Sequence, residues 1–170
     1  IILNCPAKLN LNLSVLSKRV DGMHEIKTHF QLINLFDELL IKKSSSKSIS
    51  VKTNLNSSID GKNNIVFYAI KALSDHIGKE IFCDVEIEKN IPLGSGLGGG
   101  SSNAAAALIG ANALFKLGLS IKELMMLGEK LGADVPFFFV GGRAIGLGRG
   151  SEVFPLEDTV PCYTLIVVPS

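Results

Sequence analysis

Apolar and polar residues alternate through CPAKLNLNLSVL, residues 5–16: Ala7, Leu9, Leu11, Leu13 and Val15 fall on one face, Lys8, Asn10, Asn12 and Ser14 on the other. A period of two predicts a half-buried strand. VDG at 20–22 predicts a turn. HFQLINLFDELLIKK (29–43) reads as one or two further strands and SISVKTNL (48–55) as another, with the Ser/Lys stretch 42–48 as a hairpin tip. NNIVFYAIKALSDHIG then changes period. Its apolar residues at 65, 66, 69, 70, 73 and 77 have helical spacing, with asparagine before them and Gly78 after. IFCDVEIEKNI (81–91) alternates again as a strand. From Ser101 a second helix is predicted, with a stripe of Ala104, Ala107, Leu108, Ala111, Leu114 and Phe115, ending at Gly118. SIKELMMLGEKLG (120–132) predicts a third, with Ser120 and Glu123 spaced as a capping box. After ADVPFFFV come three short strands: GRAIGLG (142–148), SEVFPL (151–156) and YTLIVVP (163–169). Strands, helix, strand, helices and strands in this order imply an α+β layer rather than regular βαβ winding.

Composition narrows the class of protein. A chain of 170 residues, 46% hydrophobic and 19% charged, is expected to form one domain with its own core. The net charge of +1 gives no electrostatic case for a nucleic-acid surface. No apolar run is long enough for a membrane span, and no signal-peptide pattern is present. Cys5, Cys83 and Cys162 lie far apart, without disulfide-framework or zinc spacing, and read as reduced thiols. His24, His29 and His76 also lack metal-ligand spacing, so no metal ligand is assigned.

The chemistry concentrates in PLGSGLGGGSSNAAAAL, residues 92–108. Gly94, Gly96 and Gly99 satisfy G-x-G-x-x-G, but helices follow and no acid closes a second strand, which is wrong for a dinucleotide fold. Gly100 stands where a Walker A lysine would be required. A flexible linker is the remaining ordinary reading. Against it, the stretch joins a patterned strand to a patterned helix. Glycines that permit close main-chain approach, the Ser101 and Ser102 hydroxyls and a helix N-terminus together describe an anion cradle. Two more residues carry chemistry. Lys8 reads either as a solvent-facing strand lysine or as the cation such a cradle lacks. Asp134 reads either as a helix N-cap ahead of Pro136 or as a carboxylate serving the same site.

The segments PAKLNLNL (6–13), RVDGMHEIKTHFQLINLFDEL (19–39), IPLGSGLGGGSSNAAAAL (91–108) and LGADVPFFFVGGRAIGLGRGSEV (131–153) resemble the GHMP kinase superfamily, in family order and over nearly the whole chain. Within it they are most similar to the kinases that phosphorylate the 2-hydroxyl of 4-diphosphocytidyl-2-C-methyl-D-erythritol in non-mevalonate isoprenoid precursor synthesis. The glycine loop alone would not separate mevalonate, homoserine or galactose kinases from these; the DG-x-H segment does. The resemblance implies an α+β fold like domain 2 of ribosomal protein S5, with a left-handed βαβ crossover. It implies an N-terminal ATP-binding domain over 1–170, the family's C-terminal domain being absent from this chain. It implies ATP as co-substrate with magnesium, held by Pro92, Leu93, Gly94, Ser95, Gly96, Leu97, Gly98, Gly99, Gly100, Ser101 and Ser102. Asp134 would be the catalytic base and Lys8 its partner at the transferred phosphoryl group. Asn10, Met23 and His24 would bind the substrate. Met23 departs from the family's usual tyrosine; its thioether can still cover an aromatic face. The resemblance also implies a bacterial cytoplasmic or plastid stromal enzyme. The rival classes are a non-catalytic nucleotide-binding module and an S5-like RNA-binding domain, the latter disfavoured by the near-neutral charge.

Overall fold

The computed structural model describes residues 1–20, 22–55 and 57–167. The elements run β1 (Ile2–Lys18), β2 (His24–Lys43), β3 (Ser50–Thr53), α1 (Ile65–Ile77), β4 (Cys83–Glu88), α2 (Gly99–Phe115), α3 (Ile121–Leu131), α4 (Phe137–Val140), β5 (Arg143–Leu147) and β6 (Glu152–Leu156). The alternating segment after residue 5 and the one after His29 become two long antiparallel strands that pair along their whole length. On its other edge β2 pairs twice: with β5 through Thr28–Gln31, and with β4 through Glu38–Lys43. Where β4 and β5 part company, around residues 32–37, the sheet opens, and the chain leaving β4 turns there into the glycine stretch.

Three sequence expectations are corrected. Residues 42–48 are not a hairpin tip. β3 pairs parallel with β4, not with β2, and a parallel neighbour must be reached by a crossover, here through α1. Residues 163–167 form no strand: Tyr163, Leu165 and Val167 are exposed, and 168–170 lie outside the described residues. In β1 the predicted inward face is only partly inward. Ala7 is fully buried, but Leu11, Leu13 and Val15 are more than half exposed, while Lys8 is 4% exposed. The pairing of β1 with β2 slips between Pro6 and Ala7 and again between Asn10 and Asn12. Residues 11–18 and the start of β2 form a hairpin whose β1 arm is exposed. Of the predicted 20–22 turn, Asp21 lies outside the described residues; Gly22 N–H donates to the Arg19 carbonyl at 3.1 Å.

The helices follow their signals. Asn64 caps α1 by accepting from the Val66 N–H at 3.0 Å, and Gly78 closes it at φ 64°. The Ser120–Glu123 capping box opens α3. α2 starts at Gly99, two residues earlier than expected, and ends at Phe115, with Lys116 as its left-handed cap at φ 54° and Gly118, at φ 73°, two residues beyond it. The main core lies between the sheet (Leu39, Ile41, Val85, Ile87) and Ile70 and Leu73 of α1, Ala104, Leu108 and Ala111 of α2 and Leu124 of α3. α2 is buried nearly all round, and its small residues let it lie close on the sheet. A Cβ on Gly110 would stand 2.9 Å from Leu3 Cδ1 and 3.0 Å from Ile41 Cγ2.

Candidate functional site

The buried N-terminal half of α2 fixes where its first turn points, and the glycine stretch arrives there from β4. Gly98, the N-cap, has φ 74° and offers no side-chain cap. The first N–H groups of α2, which have no intrahelical acceptors, are therefore left for another partner. Gly98 admits no side chain. A Cβ would lie 2.9 Å from Phe138 Cζ and 3.0 Å from Lys8 Cγ. The loop is braced internally by Ser95, whose hydroxyl donates to the Pro92 carbonyl at 2.7 Å. It is tied to the sheet by the Lys8 N–H, which donates to the Leu97 carbonyl at 2.9 Å.

The result is a cleft of about 470 Å³ lined by Pro92 to Ser101, by Asn63, Asn64 and Ile65 at the start of α1, and by Lys89, Asn103 and Asp134. Ten of the eleven predicted cradle residues line it. Ser102 does not: it is 2% exposed, and its hydroxyl has no partner among the described residues. One turn of α2 already lies ahead of Ser102, whose N–H bonds the Gly98 carbonyl at 2.9 Å, so its hydroxyl is behind the rim rather than on it.

Lys8 is not the solvent-facing lysine that strand alternation suggests. Its ammonium lies 3.2 Å from Asp134 Oδ2, donates to Asn10 Oδ1 and stands 5.5 Å from the centre of the Phe30 ring. Phe30 is itself fully buried and stacks on Phe137 at 4.6 Å. A buried cation is tolerable because it has a carboxylate, an amide oxygen and an aromatic face around it. Asp134 is not a helix N-cap. α4 begins three residues later, its cap position is Pro136, and the Asp134 side chain turns to Lys8. Side-chain exposure differs across the pair, 5% for Lys8 and 34% for Asp134, so the carboxylate is the member that faces the cleft.

Asn10 is oriented by a residue that sequence reasoning did not single out. Its amide Nδ2 donates to Thr28 Oγ1 at 2.7 Å, and the fully buried Thr28 hydroxyl donates its own proton to the Asn12 carbonyl at 2.8 Å. With that proton committed, Thr28 can only accept from Asn10, which leaves the Asn10 oxygen for the ammonium. Met23 and His24 are not brought to this cluster. His24 pairs with Lys18 near the far end of the β1–β2 hairpin, whereas Lys8 pairs with Leu32. Both Met23 and His24 are exposed, and neither lines the cleft.

Among the described residues no group of three or more His, Cys, Asp or Glu could hold a metal ion, and no helix is long and apolar enough to cross a membrane. Cys5 and Cys83 are buried thiols, both pushed up to about 12 chiefly by loss of solvation.

Comparison with known proteins accords with this architecture. Residues 64–142 match the family described as GHMP kinases N terminal domain. The chain is 42% identical over 169 residues to the 4-diphosphocytidyl-2-C-methyl-D-erythritol kinase of Lachnoclostridium phytofermentans, covering 99% of this chain and 58% of that protein. It is 45% identical over 166 residues to the enzyme of the same name from Geobacter metallireducens, covering 98% and 59%. The chain thus spans somewhat over half the length of these relatives. A crystal structure of 4-(cytidine 5'-diphospho)-2C-methyl-D-erythritol kinase superposes with a TM-score of 0.76 at 36% identity, over 92% of this chain and 55% of that one. A mevalonate kinase superposes at 0.70 with 17% identity, a likeness of fold alone. Mixed sheet, glycine loop opening a buried helix, and matched sequence together make this chain similar to GHMP kinase N-terminal domains, with residues 64–142 as the matched segment.

Proposed function

We propose that the protein is an ATP-dependent kinase that transfers the γ-phosphoryl group to the 2-hydroxyl of 4-diphosphocytidyl-2-C-methyl-D-erythritol. The observation that carries this reading is the Lys8–Asp134 pair at the mouth of the glycine cleft. Phosphoryl transfer asks for alignment and charge neutralisation more than covalent chemistry from the protein. The free N–H groups at the start of α2 and the loop amides offer donors for the phosphate oxygens. Asp134 accepts the proton of the attacking hydroxyl, and the ammonium beside it offsets charge on the moving phosphoryl group. The Asn10 and Thr28 relay fixes where that ammonium sits.

The oxygen donors at the cleft, Ser95, Ser101 and Asp134, fit a hard cation such as magnesium, which would arrive bound to the nucleotide and neutralise its phosphates. Without an acidic cluster among the described residues, the nucleotide itself would supply most of the ligands. The choice of acceptor is supported by the relatives' names and by the extended β1–β2 hairpin. A substrate with its reacting alcohol at Asp134 and a cytidine diphosphate tail would run along that hairpin towards Met23 and His24, with Asn10 on the way.

The test is turnover of ATP by the full-length protein against a panel of this alcohol, mevalonate, homoserine and galactose. Selective phosphorylation of the cytidyl substrate is expected. Turnover of another member of the panel, with none of this one, sinks the substrate assignment. Nucleotide binding with no turnover on any of them sinks the kinase reading.

A further inference from the structure

Asp37 is fully buried in the middle of β2, and its carboxylate is used on every side. Oδ1 accepts the backbone N–H groups of Asn90 and Ile91, each at 2.8 Å. Oδ2 accepts from the Lys89 ammonium and from Asn103 Nδ2, the latter at 3.0 Å. Lys89 closes the ring by donating to Asn103 Oδ1 at 2.9 Å. The place of this cluster in the fold is specific. The β2–β4 ladder ends with Glu38 opposite Glu88, so Asp37 faces the first residues after the ladder stops. Those residues, Asn90 and Ile91, lead directly into Pro92. Asn103 sits one turn inside α2, on the far side of the glycine stretch. A loop with glycine at 94, 96, 98, 99 and 100 has little stiffness of its own. Here both its ends are fastened to one carboxylate. Lys89 and Asn103 also line the cleft, and the Lys89 ammonium lies 3.2 Å from where a Cβ on Gly99 would be.

We propose that Asp37, with Lys89 and Asn103, is a positioning cluster for the nucleotide cradle: it fixes the separation and orientation of the loop's entry and of the α2 N-terminus, and so sets the affinity for the phosphates. This rests on the reading of the cleft as a nucleotide site. A buried ion pair gains little over apolar packing as a source of stability, and its best-attested use is to specify one geometry. The cluster touches neither Lys8 nor Asp134, so its effect falls on the nucleotide and not on the acceptor alcohol.

The experiment uses the full-length protein and a non-hydrolysable ATP analogue, with binding read by calorimetry and both KM values by steady-state kinetics. Two variants are compared. Asp37→Asn with Lys89→Met removes both charges together and leaves no buried charge unpaired. Asn103→Ala cuts only the tie to α2 and suits a helix. Each is expected to weaken analogue binding about tenfold, the worth of roughly one charge-assisted hydrogen bond, and to raise the KM for ATP alone. Binding within twofold of wild type in both overturns the positioning role, as does an equal rise in both KM values or loss of folding in both, which would make the cluster ordinary core. Wild-type protein that binds no analogue instead overturns the nucleotide reading itself.

Discussion

The ammonium of Lys8, on the first strand, lies 3.2 Å from the carboxylate of Asp134, in the loop after α3, and only the aspartate is substantially open to the cleft. A carboxylate so placed can take a proton from a bound alcohol while its charge is held by a neighbour that solvent does not reach. Asp134→Asn in the full-length protein is expected to lower kcat by roughly 10²–10⁴, the usual worth of a positioned base, with nucleotide affinity kept. Near-normal turnover in a kinetic assay would remove Asp134 from the role of base.

Lys8→Ala should lose most of kcat, because the buried cation beside the transferred group has no substitute: no other ammonium is paired with Asp134 among the described residues. A change confined to KM in steady-state measurements would make Lys8 a binding group.

Gly98 and Gly100 should respond differently to alanine. At Gly98 the left-handed φ of 74° and the contacts at 2.9 and 3.0 Å to Phe138 and Lys8 both oppose a Cβ. At Gly100, inside the first turn of α2, the nearest atom would be Ile65 Cγ2 at 3.8 Å. Gly98→Ala is expected to cost about 1–3 kcal/mol of stability and to abolish nucleotide binding, whereas Gly100→Ala changes stability by no more than about 1 kcal/mol in the favourable direction. Thermal melts and titration with an ATP analogue distinguish the two, and equal behaviour would contradict the loop geometry.

Thr28→Val removes the hydroxyl that dictates which way the Asn10 amide points. With the acceptor gone, Asn10 Nδ2 is left without its partner, and its amide can turn towards Lys8, placing a donor against the ammonium. We expect kcat to fall about tenfold, the scale of one hydrogen bond to a charged group, with recovery in Thr28→Ser. Thr28→Ser and Thr28→Val with the same kcat would show that packing, not the hydroxyl, matters there.

The three cysteines should label very unequally. Burial holds Cys5 and Cys83 protonated, with pKa about 12, and Cys162 is exposed. Alkylation of native protein at pH 8 followed by peptide mass spectrometry should modify Cys162 first by a wide margin. The sign of the linked stability follows. Both folded pKa values lie above the ordinary 9.0, so their contribution is complete below about pH 9 and is lost as pH rises towards 12. Prompt alkylation of Cys83 in folded protein would contradict its burial.

Much of the fold was legible because periodicity and caps are local. Asn64, Gly78 and the Ser120–Glu123 box mark helix ends where the chain supplies its own partners. What periodicity could not carry was tertiary. Leu11, Leu13 and Val15 alternate like core residues, yet face outward on an exposed hairpin arm, and register slips are invisible in a one-dimensional pattern. Residues 42–48 looked like a hairpin tip because neighbouring strands in sequence usually pair; the parallel β3–β4 pairing required knowing the crossover. At the site, the glycines, Lys8 and Asp134 could be singled out as chemistry-bearing types, although the residues alone left Lys8 open between a solvent-facing lysine and a site cation, and Asp134 between a helix cap and a site carboxylate. Thr28 and Asp37 could not be found, since one threonine or aspartate inside an apolar strand has no spacing signature. Their importance is in the hydrogen bonds they accept from other segments.

The bond from the Lys8 N–H to the Leu97 carbonyl belongs to the main chain and so survives any replacement of the side chain except proline. Residue 8 therefore carries two separable properties. Lys8→Met deletes the electrostatics and keeps the mechanical splice between strand and loop; Lys8→Pro deletes both. The difference between those two proteins measures how far the loop depends on being sewn to the sheet edge, free of any contribution from the charge.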